Sequence, residues 1–414
     1  MLLPLLFALT VPPTGVFQLP SGAIEIAAEI RLPDGTHDLT IVGALHTTLR
    51  ASNAFSGRAL FTCKHCRDLI FRDFAVDGNR DALEQRQSPP PGNLAFAKYF
   101  RNNGILVEES DRVTFQKLHF RNIASFAILV KTSQHVLIEE SSVADSGSRN
   151  ALGKNNTTGG FVLEEGTGAF RIVRSHFENI RGNGVWTHSY YWAPRNYDGE
   201  IEENTFEQIG RDAIQIGRST RVRVRNNYGK RIGFPVDLVD ADPVGIDTAG
   251  NVDHCTYEDN VFEELDGKCI DLDGFHDGAV RANTCINRGK SEDYPYGNFG
   301  IALNNTPINQ SENVSITGNR LSGMRYGGIF VVGTGHHISG NQMTHLNSAH
   351  SAEPGVLQSG IYLAGGAAKP DPARNLRIEN NLITGYRMAA HCLEAASVVN
   401  VGESAIVNNI CRDE

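Results

Sequence analysis

The chain has 414 residues, 40% hydrophobic and 21% charged, with 42 glycines and an aromatic content of 8%. Its formal charge is −9 and no run of five Lys or Arg residues occurs, so no basic face for nucleic acid is expected. No later segment reaches the roughly 18 consecutive apolar residues of a membrane helix, which argues against a membrane span; the composition suits many short strands joined by tight turns.

The chain opens on MLLPLLFALTVPPTG. The apolar run Leu2 to Val11 resembles a signal-peptide core, although no Lys or Arg precedes it. It predicts a secreted or periplasmic protein; the alternative is a cap on the N-terminal end of the fold. Seven cysteines follow, an odd count. Cys63-Lys64-His65-Cys66 is a CxxC with no second pair at zinc-ribbon spacing and no thioredoxin-like context. Cys285 and Cys411 fall at expected core positions. Most cysteines therefore read as small core residues, which argues against a disulfide framework.

From about Cys63 onward a unit recurs: Gly-Ile-x-Leu, a variable turn, x-Ile-x-x-Asn-x-Phe/Ile, then a small turn. It appears as GILVEESDRVTFQKLHFRNI (104–123), DAIQIGRSTRVRVRNNYGKRIG (212–233), VGIDTAGNVDHCTYEDNVFEELDG (244–267) and KCIDLDGFHDGAVRANTCINRG (268–289). It returns as GGIFVVGTGHHISGNQMTHLN (327–347) and in 360–387. About a dozen units run to Cys411 at a period of roughly 21 to 29 residues, the range of solenoids. Apolar residues alternate over runs of four or five, too short for helices, and β-branched residues dominate them. No unit can bury its apolar face alone, so neighbours must stack. The Asn of NNY, EDN, TGN, SGN and ENN recurs at one place, where stacked Asn at a bend is expected. A leucine-rich repeat would need a L-x-x-L-x-L-x-x-N pattern that is not seen, and a propeller would need longer repeats.

These repeats make the chain resemble the pectate-lyase-like superfamily of right-handed parallel β-helices over about residues 40 to 412. The resemblance implies an all-β fold in a single domain over 1–414, an N-terminal segment or cap over 1–40 and coils over 41–414. Longer loops would lie over one groove. The superfamily includes polysaccharide lyases, glycoside hydrolases, uronate epimerases and non-catalytic adhesins, so fold leaves function open.

Register then places side chains. In Gly-Ile-x-Leu, Ile and Leu point inward and x outward. Stacking puts successive x residues in a column: Leu106, Val162, Trp186, Gln215, Asp247, Asp271, Ala302, Phe330, Tyr362 and Glu394. Two residues on, a second column reads Glu108, Lys131, Glu164, His188, Gly217, Ala249, Asp273 and Asn304. Asp247 and Asp271 are 24 residues apart, one full turn, and Asp273 shares the strand and face of Asp271. Three adjacent carboxylates cannot all ionise cheaply, so one should hold a proton or the group should bind a cation. A raised carboxyl suits a general acid, and a second could activate water.

This arrangement is similar to the polygalacturonase, dextranase and α-1,3-glucanase groups of β-helix glycoside hydrolases, which place one Asp on a coil and a pair on the next. Asp247 would match the first, and Asp271 with Asp273 the pair. The pair here is Asp-Leu-Asp rather than Asp-Asp. The Gly-His-Gly and Arg-Ile-Lys motifs of polygalacturonases are missing, with His276 only a loose counterpart. Polygalacturonase activity is therefore not expected. Ca²⁺ held by Asp247, Asp271 and Asp273 is the alternative use of the cluster; no other cofactor is expected.

Three segments exceed the repeat: THSYYWAPRNYDG (187–199), GKRIGFPVDLVDADP (229–243) and GKSEDYPYGNFG (289–300). Solenoid insertions often collect on the binding face. Trp186, Tyr190, Tyr191, Trp192, Tyr294, Tyr296 and Phe330 could stack on sugar rings or pack the loops. His188 is expected near Gln215, as a base or a substrate-positioning group. Arg211, Arg218, Lys268 and Lys290 flank the region. With such a cation and a base, a lyase or C5-epimerase becomes the rival to hydrolysis; a carbohydrate-binding solenoid is the third reading. Asp77-Gly78-Asn79-Arg80 reads as a structural turn. His336, His337, His345 and His350 lack metal-ligand spacing. The expected partner is a poly- or oligosaccharide, met by a monomer.

Overall fold

The computed structural model describes residues 10–297, 299–353 and 355–414. By compactness the chain divides into two units, residues 1–211 and 212–414. Both are built from coils of three short strands, each strand pairing in parallel with its counterpart one coil later. In the first unit Asn103–Glu108, Ile128–Lys131 and Phe161–Glu164 stack in this way, as do Arg67–Arg72, Asp111–Gln116 and Gln134–Glu139. In the second unit Val244–Ala249, Lys268–Asp273 and Ile301–Asn304 form one stack. Thr256–Glu258, Ala279–Arg281 and Ser315–Thr317 form another. The fold is the right-handed parallel β-helix that the repeats predict.

Alternation explains the core. Ile246, Ile270, Ile301, Ile329 and Ile361 form an inward stack with no solvent exposure, and Leu272, Leu303, Val331 and Leu363 form a second beside it. Burying each such side chain contributes about 1.5–3 kcal/mol. Coils begin earlier than expected: Gly15–Leu19, Ala23–Ile26 and Ile30–Arg31 already pair with the next coil, so residues 15–31 are a coil and not a preceding cap. Most of the signal-like run, residues 2–9, lies outside the described residues.

The recurring Asn is a buried ladder. In the second unit the Nδ2 of Asn227, Asn260, Asn283, Asn319, Asn341 and Asn381 each donates to the Oδ1 of the next member at 2.8–3.0 Å, ending on Asn409. Each Oδ1 also accepts the preceding member's backbone N–H, as Asn319 does from Asn283 at 3.0 Å. The left-handed backbone expected of this Asn falls one residue earlier, at Asn226, Asp259, Ala282, Gly318, Gly340, Asn380 and Asn408. In the first unit serine does the same work, Ser141 donating its N–H to Ser175 Oγ and Ser175 to Asn204 Oδ1. At Asp77-Gly78-Asn79 the chain turns against its neighbour: a Cβ on Gly78 would meet the Asn122 carbonyl oxygen at 2.7 Å.

The cysteines depart from expectation. Cys63–Cys66, Cys269–Cys285 and Cys392–Cys411 are disulfides, and the seventh cysteine, Cys255, is buried outside them. Cys63, Cys66, Cys269 and Cys285 are buried as predicted for core residues, whereas Cys392 and Cys411 are half-buried; Cys269 and Cys285 sit on two strands of one coil and face each other across it. Spacing along the chain does not reveal such pairing. Among the described residues no helix is long and apolar enough to cross a membrane.

Candidate active site

The aspartates lie on one face of the second unit. Asp247 stands directly opposite Gln215 on one side and Asp271 on the other. Asp271 is opposite Ala302, and Asp273 opposite Asn304. Adjacent strands are about 4.8 Å apart, and the flanking Ile246, Thr248, Ile270 and Leu272 are buried inward, which turns all three carboxyls outward.

Their surroundings differ. Gln215 Nε2 donates to Asp247 Oδ2 at 2.5 Å. Burial and the charges of Asp212, Asp271 and Asp273 push the Asp247 carboxyl well above its usual range. Lys268 Nζ donates to Asp271 Oδ2 at 2.7 Å and lies 3.7 Å from Asp242 Oδ2. Burial would discharge this lysine, but the Asp271 and Asp242 carboxylates outweigh it and raise its pKa. Burial raises Asp271, with the Lys268 ammonium opposing. Burial and the neighbouring Asp271 push Asp273 up to about 7. The cluster thus combines an ion-paired carboxylate with a carboxyl that titrates near neutrality.

The other candidates scatter. Trp186, 8% exposed, is a packing residue and not a sugar platform. It stands in the first unit's outward column with Leu106, Leu129 and Val162, and Phe96, Phe100 and Phe126 cover that column as a second apolar core. The short helix Phe96–Tyr99 is fastened there by Glu164, whose carboxylate accepts the Phe96 and Ala97 N–H groups at 2.9 and 2.8 Å. His188 stacks on Phe96 at 4.0 Å, edge-on to Trp186 and Tyr190. Its Nδ1 lies 3.8 Å from Glu164 and has no hydrogen-bond partner among the described residues. His188 and the arginine Arg211 belong to the first unit, the aspartates to the second. Tyr191 and Trp192 are exposed, and Trp192 Nε1 is anchored on the Gly92 carbonyl at 2.9 Å.

In the second unit Tyr294 is 2% exposed, with its hydroxyl bonded to Glu264 and to the Gly289 N–H. It too packs a loop and offers no ring to a substrate. Tyr296 is half-buried, and its N–H donates to Asp266 at 2.7 Å. Lys290 is exposed at a loop turn whose backbone it closes onto Asp293. His276 lies in Phe275–His276, paired with Val252–Asp253 and away from the aspartate column, bonded to Asp277 and Asn251. Among the described residues, the group with metal-chelating spacing is the largely exposed His276, Asp277 and Glu312. His336 is buried and its pKa is lowered to about 4; it accepts the Val314 N–H and donates to the Val332 carbonyl, a structural role. Sequence reasoning missed the carboxylate of Glu164 as a helix anchor, and Lys268 as the partner of Asp271. The i, i+3 spacing of Lys268 and Asp271 gave no signal, because in a strand it sets two residues on opposite faces.

The family described as the right handed beta helix region matches residues 97–262 and 162–343, together more than half of the chain. The chain belongs to this family. No curated protein sequence matches it. Solved structures share its fold at low identity. The surface adhesin PfbA of Streptococcus pneumoniae is 14% identical, with a TM-score of 0.62 over 86% of both chains. A mannuronic acid specific polysaccharide family 6 lyase from human gut microbiota is 15% identical, with a TM-score of 0.55 over 95% of this chain and 80% of that one. The catalytic domain of a GH87 α-1,3-glucanase, solved with tetrasaccharides, is 14% identical, with a TM-score of 0.56 over 92% of this β-helix and 64% of that chain.

Proposed function

We propose that this β-helix is a carbohydrate-active enzyme that hydrolyses glycosidic bonds, with Asp271, Asp273 and Asp247 as its reacting groups. The observation that carries the reading is the Lys268–Asp271 contact at 2.7 Å beside two carboxyls, Asp247 and Asp273, raised by burial and by neighbouring carboxylates, Asp271 among them for both. Glycoside hydrolysis needs one carboxylate and one carboxylic acid together, and unequal environments supply that division. Asp271, carrying the lysine, is the anion that activates water. Asp273, titrating at about 7, protonates the leaving oxygen. Asp247, oriented by Gln215, stays protonated and donates to the sugar. The GH87 neighbour supports a hydrolase on this fold, while the lyase and adhesin neighbours support the wider class of carbohydrate-acting β-helices. Three disulfides fit an oxidising compartment and hence an exported protein.

The test is a panel of neutral and uronate-containing polysaccharides with wild type and Asp271→Asn, with and without EDTA. New reducing ends without ultraviolet absorbance, lost in Asp271→Asn and indifferent to EDTA, are expected. Absorbance from an unsaturated uronate would replace hydrolysis by elimination. Loss of activity in EDTA would make the aspartates cation ligands. Saccharide binding without any product would leave a binding module.

A further inference from the structure

South of the aspartates, toward the C-terminus, the outward column continues in register through Ala302, Phe330, Tyr362 and Glu394. The Phe330 and Tyr362 rings stack at 6.1 Å with 19° between planes, and buried Phe299 supports Phe330 at 5.6 Å. Both rings are partly exposed. Glu394 ends the row: His391 Nδ1 bonds its Oε1 at 2.5 Å, and Ser359 Oγ donates to its Oε2 at 2.9 Å. Next to Ser359, buried Gln358 keeps an Oε1 with no hydrogen-bond partner among the described residues, and His391 Nε2 has none either.

We propose that Phe330, Tyr362 and the Glu394–His391–Ser359 group form a row of binding subsites for uncharged pyranose sugars, extending from the aspartates toward the C-terminal coils. The proposal rests on reading the aspartates as the cleavage site. Each strand step is about 4.8 Å, near the length of one sugar ring, so Phe330, Tyr362 and Glu394 stand two, three and four steps from Asp271. The partly exposed rings of Phe330 and Tyr362 offer a pyranose apolar surface to pack against. Glu394, partly exposed, accepts hydroxyl protons at the end of the row, and His391 and Ser359 hold its carboxylate in place.

Charge selects the sugar. Within this unit the first outward column is Gln215, Asp247, Asp271, Ala302, Phe330, Tyr362 and Glu394. Beyond Asp273 and Asn304 the second column gives way to Val332 and Ala364, both buried, and then Ala396. Neither column contains Lys or Arg. Lys268, at the edge of the cluster, is taken up by Asp271 and Asp242. A polyuronate would lay a carboxylate on every sugar along a row that holds the Asp271 and Glu394 carboxylates and no column cation, whereas a neutral glycan meets no such repulsion.

The experiment measures calorimetric binding of malto-, nigero-, cello- and laminari-hexaose and of hexagalacturonate and hexamannuronate to Asp271→Asn protein, which blocks turnover. At least one neutral hexasaccharide should bind more tightly than both uronates. Tyr362→Leu and Phe330→Leu should each weaken it by about tenfold, with circular dichroism and Tm near those of the parent. Glu394→Gln, which keeps the shape, should weaken it less. Tighter uronate binding, absence of neutral binding, or unchanged affinity in both aromatic variants would overturn the proposal. Hydrolysis of a neutral glycan that depends on Asp271 but ignores Phe330 and Tyr362 would reject the subsites and keep the hydrolase. Neutral binding that depends on Tyr362, without turnover in wild type, would reject the hydrolase and keep the subsites.

Discussion

Lys268 Nζ sits 2.7 Å from Asp271 Oδ2, and neither side chain exceeds 17% exposure. This contact assigns unequal roles to carboxyls that strand register places side by side. If Lys268 holds Asp271 charged, Lys268→Met should move the acidic limb of the kcat/KM profile to higher pH and lower kcat/KM at pH 5 by about 10–100-fold. Lys268→Arg should retain most of the activity. An unmoved acidic limb in Lys268→Met would show that Asp271 is not the base.

Asp273 titrates at about 7 in the folded protein, above the ordinary 3.8. As the general acid it must be protonated, so activity should fall as pH rises through about 7. Asp273→Asn should remove about 10²–10⁴-fold of kcat. A pH profile flat between 6 and 8 would contradict this assignment.

The same group makes a stability prediction of opposite usefulness. Below the unfolded pKa both states are protonated and Asp273 contributes nothing to the pH slope. Between that value and about 7 the unfolded chain ionises while the folded one does not, so stability declines as pH rises through this window. Asp273→Asn should therefore stabilise the protein at pH 8, by up to about 4 kcal/mol, and have little effect near pH 3.5. Denaturant melts at the two pH values check it.

Asn283 donates to Asn319 and accepts from Asn260, all three without solvent exposure. Asn283→Ala leaves buried donors and acceptors on two neighbouring coils, at about 1–3 kcal/mol. Urea titration should show this loss, with the substrate profile of the remaining folded protein unchanged.

Trp186 is packed edge-on against Phe96 at 4.9 Å. Trp186→Ala should cost about 3–5 kcal/mol, the range for emptying an aromatic core site. Since the ring does not face substrate, KM of the folded fraction should not change; a raised KM with unaltered stability would restore the sugar-stacking role.

Much of the fold was legible because a solenoid repeats its register. The alternation that buries Ile246 and Ile270 also turns Asp247 and Asp271 outward, and one full turn between them sets them opposite each other. The recurrent Asn was legible for the same reason. Exposure was not: Trp186, Tyr294 and Phe330 are all aromatics at or near outward positions, yet a helix from residues 96–99 covers the first, a loop swallows the second, and the third stays partly open.

The sequence by itself determined the parallel β-helix, the outward columns and the aspartates within them, because side-chain direction in a strand has a period of two and coils stack strand on strand. Only the tertiary structure decided which cysteines pair, that His188 lies among aromatic rings, and that Lys268 bonds Asp271. These depend on how loops and coil corners fold over the regular strands, where contacts join residues whose spacing follows no period.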